Sequence, residues 1–128
     1  LITRLIKNIY QFYTRNLKKY LAQDYLKALS YIPQHRTGNY HIFYLRFSNE
    51  KTRNFVLKEL KKNGINTAFH YIPLHSSPMG GELNYKYEDF PVSNDCAETI
   101  LRLPIYPELK KSELEYIIDN IKKIFSKL

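Results

Sequence analysis

The apolar residues of this chain switch repeatedly between helical and strand spacing along its 128 positions. That switching points to a small sheet covered by helices on one side. Leu5, Ile9, Phe12, Tyr13, Leu17, Tyr20 and Leu21 recur every three or four positions, which predicts an amphipathic helix from Leu1 to about Leu29 with a break near Gln23. Pro33 to Gly38 reads as a turn. From Tyr40 to Phe47 the pattern alternates His41, Phe43, Leu45 and Phe47 against Tyr40, Ile42, Tyr44 and Arg46, as in a strand with two usable faces.

Ser48 or Asn49 can cap the next helix, whose Phe55, Val56, Leu57 and Leu60 turn inward and whose end Gly64 marks as a left-handed stop. A second strand is predicted over about Ile65 to Tyr71, followed by a long irregular stretch with Pro73, Pro78, Gly80, Gly81 and Pro91. A helix around Asn94 to Leu101 is predicted to bury Cys96, Ala97, Ile100 and Leu101, and Leu101 to Ile105 to give a short third strand. Ser112 with Glu115 reads as a capping box for a last helix carrying Leu114, Ile117, Ile118, Ile121, Phe125 and Leu128 on one face. The predicted class is α/β of the α+β kind, with a small, mostly antiparallel sheet. One domain spans 1–128, with residues 1–32 as a leading helix and connection and 33–128 as the αβ unit.

Hydrophobic residues make up 44% of the chain, enough to bury a core and to exclude disorder by composition. A net charge of +8 invites a nucleic-acid reading. Lys58, Lys61 and Lys62, like Lys122, Lys123 and Lys127, stand beside acids at helical spacing, however, as on solvated faces. A stand-alone basic module for nucleic acid or another polyanion is thus the second reading. The single Cys96 excludes an internal disulfide and fits a reducing cytoplasm. No apolar run is long enough to span a membrane. The chain opens with Leu1 inside a helical pattern and its one methionine is Met79, which predicts a piece of a longer protein.

Chemistry concentrates in Phe69-His70-Tyr71-Ile72-Pro73-Leu74-His75-Ser76-Ser77-Pro78, two imidazoles, a phenol and two hydroxyls at a strand end. His70 and His75 lack the spacing and the further ligands of a zinc site. Ser76, Ser77 and His75 are too close in sequence to make a triad without an orienting acid. Met79-Gly80-Gly81-Glu82 lacks the lysine of a phosphate loop, and the strand at Tyr40 to Phe47 lacks the basic and glycine pattern of RNA-recognition strands.

Gly64-Ile65-Asn66-Thr67-Ala68-Phe69-His70-Tyr71-Ile72-Pro73-Leu74-His75 resembles the signature of the DegT/DnrJ/StrS sugar-nucleotide aminotransferases. Asn39 to Tyr44 and Leu101-Arg102-Leu103-Pro104-Ile105-Tyr106 are similar to two more of that family's motifs, in the same order. Within the family, His70 to Pro78 and Leu101 to Ile105 are most similar to transaminases that make dTDP-4-amino-4,6-dideoxygalactose.

The resemblance implies the C-terminal small domain of a fold-type I aminotransferase of nucleotide-sugar and surface-polysaccharide biosynthesis. Pyridoxal 5'-phosphate (PLP), with its lysine, acidic partner and phosphate site, would then sit in a preceding large domain and not on this piece, which would be inactive alone. The whole enzyme would be a cytoplasmic homodimer that aminates a dTDP-4-keto-6-deoxyhexose from an amino-acid donor, glutamate by expectation. His70, Tyr71 and His75 would line the substrate side of the cleft, with Asn39 and His41 supporting or contacting it. A third reading, an interaction piece, would pair through the stripe of the first helix with a separately made large domain or with itself.

Overall fold

The computed structural model describes residues 1–128 throughout. Helix α1 spans Ile2–Leu17 and runs into a 3-10 turn at Lys18–Ala22. Strand β1 (Leu26–Leu29), strand β2 (Phe43–Phe47) and helix α2 (Glu50–Lys62) follow. A short α3 (Pro78–Glu82), then α4 (Pro91–Thr99), β3 (Ile100–Leu103) and α5 (Lys111–Phe125) complete the order. The three strands form one antiparallel sheet in the order β1-β2-β3. No helix is long and apolar enough to cross a membrane.

Alternation along β2 gives the sheet two different faces. Phe43, Leu45 and Phe47 are fully buried on one, opposite Leu103 and Leu101 of β3. Onto this face α1 docks through Tyr13, whose ring lies 5.1 Å from Phe43, and α5 through Phe125, 6.0 Å from Phe47. Tyr44 and Arg46 occupy the other face with Arg102 and Ile100. There Arg46 pairs with Asp95 and its Nε donates to Thr99 Oγ1 at 3.2 Å, which fastens α4. The expectation of helices on one side is therefore corrected: α1 and α5 cover one face and α4 lies against the other.

The first helix is shorter than its pattern. Gln23 is extended (φ −96°, ψ 141°), and Leu26–Leu29 joins the sheet. Leu26 and Leu29, three apart like helix neighbours, are both buried because the ladder shifts register between Leu26 and Ala28. Such a bulge turns an odd-numbered step back to the same face. Residues 65–71 do not form a full strand. Ala68 alone bridges Arg102, through bonds of 2.7 and 3.3 Å, beyond which Phe69, His70, Tyr71 and Ile72 are exposed and Pro73 has no N–H to give.

Capping is partly as expected. The Asn49 side chain accepts from Thr52 N at 2.9 Å, and Gly64 adopts φ +71°, where an L side chain is disfavoured. At α5 the reciprocal acid is Glu113, accepting from Lys110 N at 2.7 Å, two residues before Ser112 and Glu115 would have placed it. Helix α4 buries Asn94 and Thr99, while Cys96, Ala97 and Ile100 are half-buried. Phe55 and Leu57 are also only half-buried, and Leu128 is exposed.

Tyr13 is fully enclosed and donates its hydroxyl to the Pro104 carbonyl at 2.7 Å, tying α1 to the end of β3. Burial, with a smaller contribution from Tyr106, pushes its phenol well above the ordinary value of 10.0. The unfolded chain ionises this phenol near its usual pKa of ~10 whereas the folded one retains the proton, so the associated stability is whole below that pH and is lost above it. Tyr13→Phe should lose ~1 kcal/mol at neutral pH with its hydrogen bond, and its stability should fall less steeply than the parent's above pH ~10. Parallel slopes in urea titrations across that range would contradict this.

Candidate functional site

After α2 the chain reverses at Gly64, where Ile65 N bonds back to Leu60 O at 3.0 Å, and then runs beside β3 as far as the Ala68 bridge. There it leaves the sheet and presents His70 and Tyr71, whose rings meet edge to face with centroids 4.7 Å apart. His70, Tyr71 and Leu74 form one wall of a cleft of about 340 Å³ whose other wall is Ser93, Cys96 and Ala97 of α4. A second cleft of about 240 Å³ opens over the sheet between His70, Ile100, Tyr44, Ile42 and Ser30. His70 and Ile100 border both.

These walls are mainly apolar, with an imidazole, two phenols, two serine hydroxyls and one thiol at their edges. Such a lining can enclose a ring and hydrogen-bond its hydroxyls. Burial, with the nearby Tyr31 phenol, pushes the Tyr44 phenol up, so it remains a donor. Burial alone would also push the Asp95 carboxyl up, but the Arg46 guanidinium, helped by Lys27 at 3.5 Å, outweighs it and holds the group low. No three His, Cys, Asp or Glu side chains cluster as a metal site would need.

The five residues singled out from the sequence separate into three places. His70 and Tyr71 stand together at the clefts. Asn39 and His41, both exposed, pair with each other (Oδ1 to Nδ1, 2.5 Å) just ahead of β2. His75 is turned inward: only 9% exposed, its Nε2 lies 2.7 Å from Asn94 Oδ1 and its ring rests on Phe90 at 4.7 Å. Neither cleft is lined by His75, Asn39 or His41.

Asn94 was not singled out in sequence, yet it organises this region. Its Nδ2 donates to the Tyr87 carbonyl at 2.5 Å, which aims Oδ1 at His75 and makes Nε2 the protonated nitrogen. The sequence signal was faint: a polar residue on the inward face of a short helix. Asn94→Leu leaves the His75 N–H and the Tyr87 carbonyl without partners and should cost ~1–3 kcal/mol, with faster amide exchange over residues 74–89. An unchanged urea midpoint would contradict this role. Ser30, Tyr44, Ser93 and Cys96 were also missed, because only the fold brings them beside His70.

Three larger clefts lie elsewhere, one of them, about 410 Å³, between the end of α1 and β1. Another of about 570 Å³ runs between Gly64–Asn66 and the start of α5, and the third, about 590 Å³, between α1 and residues 30–40.

The profile of the DegT/DnrJ/EryC1/StrS aminotransferase family matches residues 4–122. A pleiotropic regulatory protein of Geobacillus stearothermophilus is 31% identical over 106 residues, covering 82% of this chain and 28% of that protein. The dTDP-3-amino-3,6-dideoxy-alpha-D-galactopyranose transaminase of Aneurinibacillus thermoaerophilus is 24% identical over 110 residues, 85% of this chain and 30% of its own length. The aminotransferase TlmJ of Streptoalloteichus hindustanus superposes with a TM-score of 0.82 at 24% identity, over 98% of this chain and 32% of that one. The chain thus spans about 30% of the length of the relatives it matches. Its matched motifs and its fold lead to one assignment: the chain belongs to the DegT/DnrJ/EryC1/StrS aminotransferase family.

Proposed function

We propose that residues 1–128 are the small domain of a PLP-dependent transaminase that aminates a dTDP-4-keto-6-deoxyhexose, with an amino acid, glutamate, as donor. The observation that carries the reading is the position of His70, in the longest family-like motif, on the rim shared by two ring-sized clefts, with Tyr71 beside it on the wall of the larger one. His70 and Tyr71 hydrogen-bond the hydroxyls or diphosphate of the nucleotide-sugar. His75, through Asn94, positions the turn that carries them, and the Asn39–His41 pair borders the approach to the sheet.

These residues do not fit as the cofactor's anchor. No lysine of the chain is buried, and a Schiff-base lysine needs desolvation or a cationic neighbour. We assign PLP attachment to the part of the family's length outside these residues, so the 128 residues alone are inactive. They work within a homodimer, in the cytoplasm, where a single unpaired cysteine is at home.

The reading is tested by grafting residues 1–128 onto the Aneurinibacillus thermoaerophilus transaminase in place of the region they match. In that chimera His70→Ala and Tyr71→Phe should raise KM for the keto sugar and leave the PLP absorbance unchanged. A KM that neither substitution moves would remove these residues from the substrate's path.

A further inference from the structure

We propose that the groove between α1 and residues 30–40 binds a phosphorylated small molecule of nucleotide size, gripped by Arg15 and Arg36. The surplus charge of the chain is not spread evenly over helical faces, as its lysine runs suggested. Residues 1–49 carry Arg4, Lys7, Arg15, Lys18, Lys19, Lys27, Arg36 and Arg46 against the single acid Asp24. In the lysine runs of α2 and the C-terminal helix, Lys62 and Lys127 pair with Glu59 and Lys122 with Asp119.

Within the basic region, Arg15 of α1 and Arg36 of the following loop line one groove of about 590 Å³, together with Gln11, Gln34, Tyr31 and Tyr40. That volume suits a nucleotide-sized ligand. No acidic side chain lines it, and neither arginine makes an ion pair, so both guanidinium forks are available for phosphate oxygens.

The wall opposite is built rather than loose. Tyr40 sits at φ 58°, a left-handed conformation that a bulky side chain adopts only where its surroundings enforce it. Its ring packs edge to face on buried Tyr10 at 5.3 Å, and the Tyr10 hydroxyl donates to Ser30 at 3.2 Å. Lys7 lies 5.6 Å over the Tyr40 ring and adds positive charge at the rim. Tyr31, 74% exposed at the groove's edge, offers a free aromatic face to a planar base. Two arginines lining one open groove suit one or two phosphates, whereas a polyanion would be met by a long row of cations. The groove shares only Ser30 with the clefts at His70, so the proposal does not depend on the transaminase reading.

The test is calorimetry and amide NMR on the 128-residue chain with dTDP, inorganic pyrophosphate, thymidine and a short single-stranded oligonucleotide. Saturable dTDP binding is expected, with shifts over 11–15 and 31–40, competition by pyrophosphate and no binding of thymidine at equal concentration. Arg15→Gln with Arg36→Gln should weaken dTDP about tenfold or more and leave the melting curve unchanged, and the double Arg→Lys variant should recover only part. No saturable binding overturns the proposal, as does a double Gln variant that binds normally. Shifts confined to 70–74 would move the phosphate to the clefts at His70 and overturn it too. Oligonucleotide binding that is tighter and falls steeply with salt would make this a polyanion surface instead.

Discussion

Phe43→Ala should cost ~3–5 kcal/mol of folding free energy, a large share of the ~5–15 kcal/mol that holds a domain together. The ring is fully buried at the start of β2, opposite Leu103, with Tyr10 and Tyr13 of α1 each 5.1 Å away. Truncation removes buried apolar area and leaves a cavity where α1 meets the sheet, and the fixed strand ladder prevents the walls from closing on it. Phe69→Ala is the control, the same chemical change at a ring half exposed beyond the Ala68 bridge, and should cost no more than ~1 kcal/mol. Urea midpoints with an unchanged slope measure both. Comparable losses at the two positions would mean that the sheet face carrying Phe43 is not the core.

Gly80→Ala should destabilise although it replaces a helical glycine, a change that propensity alone makes favourable by ~1 kcal/mol. A Cβ at Gly80 would stand 2.4 Å from the His75 carbonyl oxygen and 2.5 Å from that of Leu74, both backbone atoms. Accommodating it separates α3 from the turn at Leu74–Ser76, at a cost of ~1–3 kcal/mol by analogy with overpacked cores. Gly81→Ala in the same helix meets nothing within 4 Å and should stabilise by ~0.5–1 kcal/mol. Opposite signs in thermal melts are therefore expected; stabilisation by both would show that α3 does not rest on the His75 backbone. In a transaminase, loosening this contact should also disturb Tyr71 and Leu74 at the cleft.

Local rules reached furthest where chemistry and tertiary structure agree. The α5 stripe, the Asn49 cap and the Gly64 stop depend on neighbours within a turn or two, so sequence alone placed them well. Strand β1 falls at the end of the helix expected to reach about Leu29, and only its pairing with β2, with the bulge, puts Leu26 and Leu29 together into the core. The opposite error arose at residues 65–71, whose β-rich pattern pairs at Ala68 alone. The irregular stretch after Pro73 owes its short helices to Ser77, which accepts from Gly80 N at 3.2 Å, and to the His75–Asn94 bond 19 residues apart in sequence. The site was legible as a motif but not as a shape. His70 and Tyr71 meet in space, whereas His75 turned out to be buried and the partners on α4 carry no sequence signal.

The measurement to make is amino-sugar formation from a dTDP-4-keto-6-deoxyhexose with glutamate and PLP, read by mass, for the 128-residue chain and for its chimera with the Aneurinibacillus thermoaerophilus enzyme. The expected result is no product from the chain alone and product from the chimera. Turnover by the chain alone, or a chimera that holds PLP and its native fold yet forms no amino sugar, would contradict the assignment of these residues as a transaminase small domain.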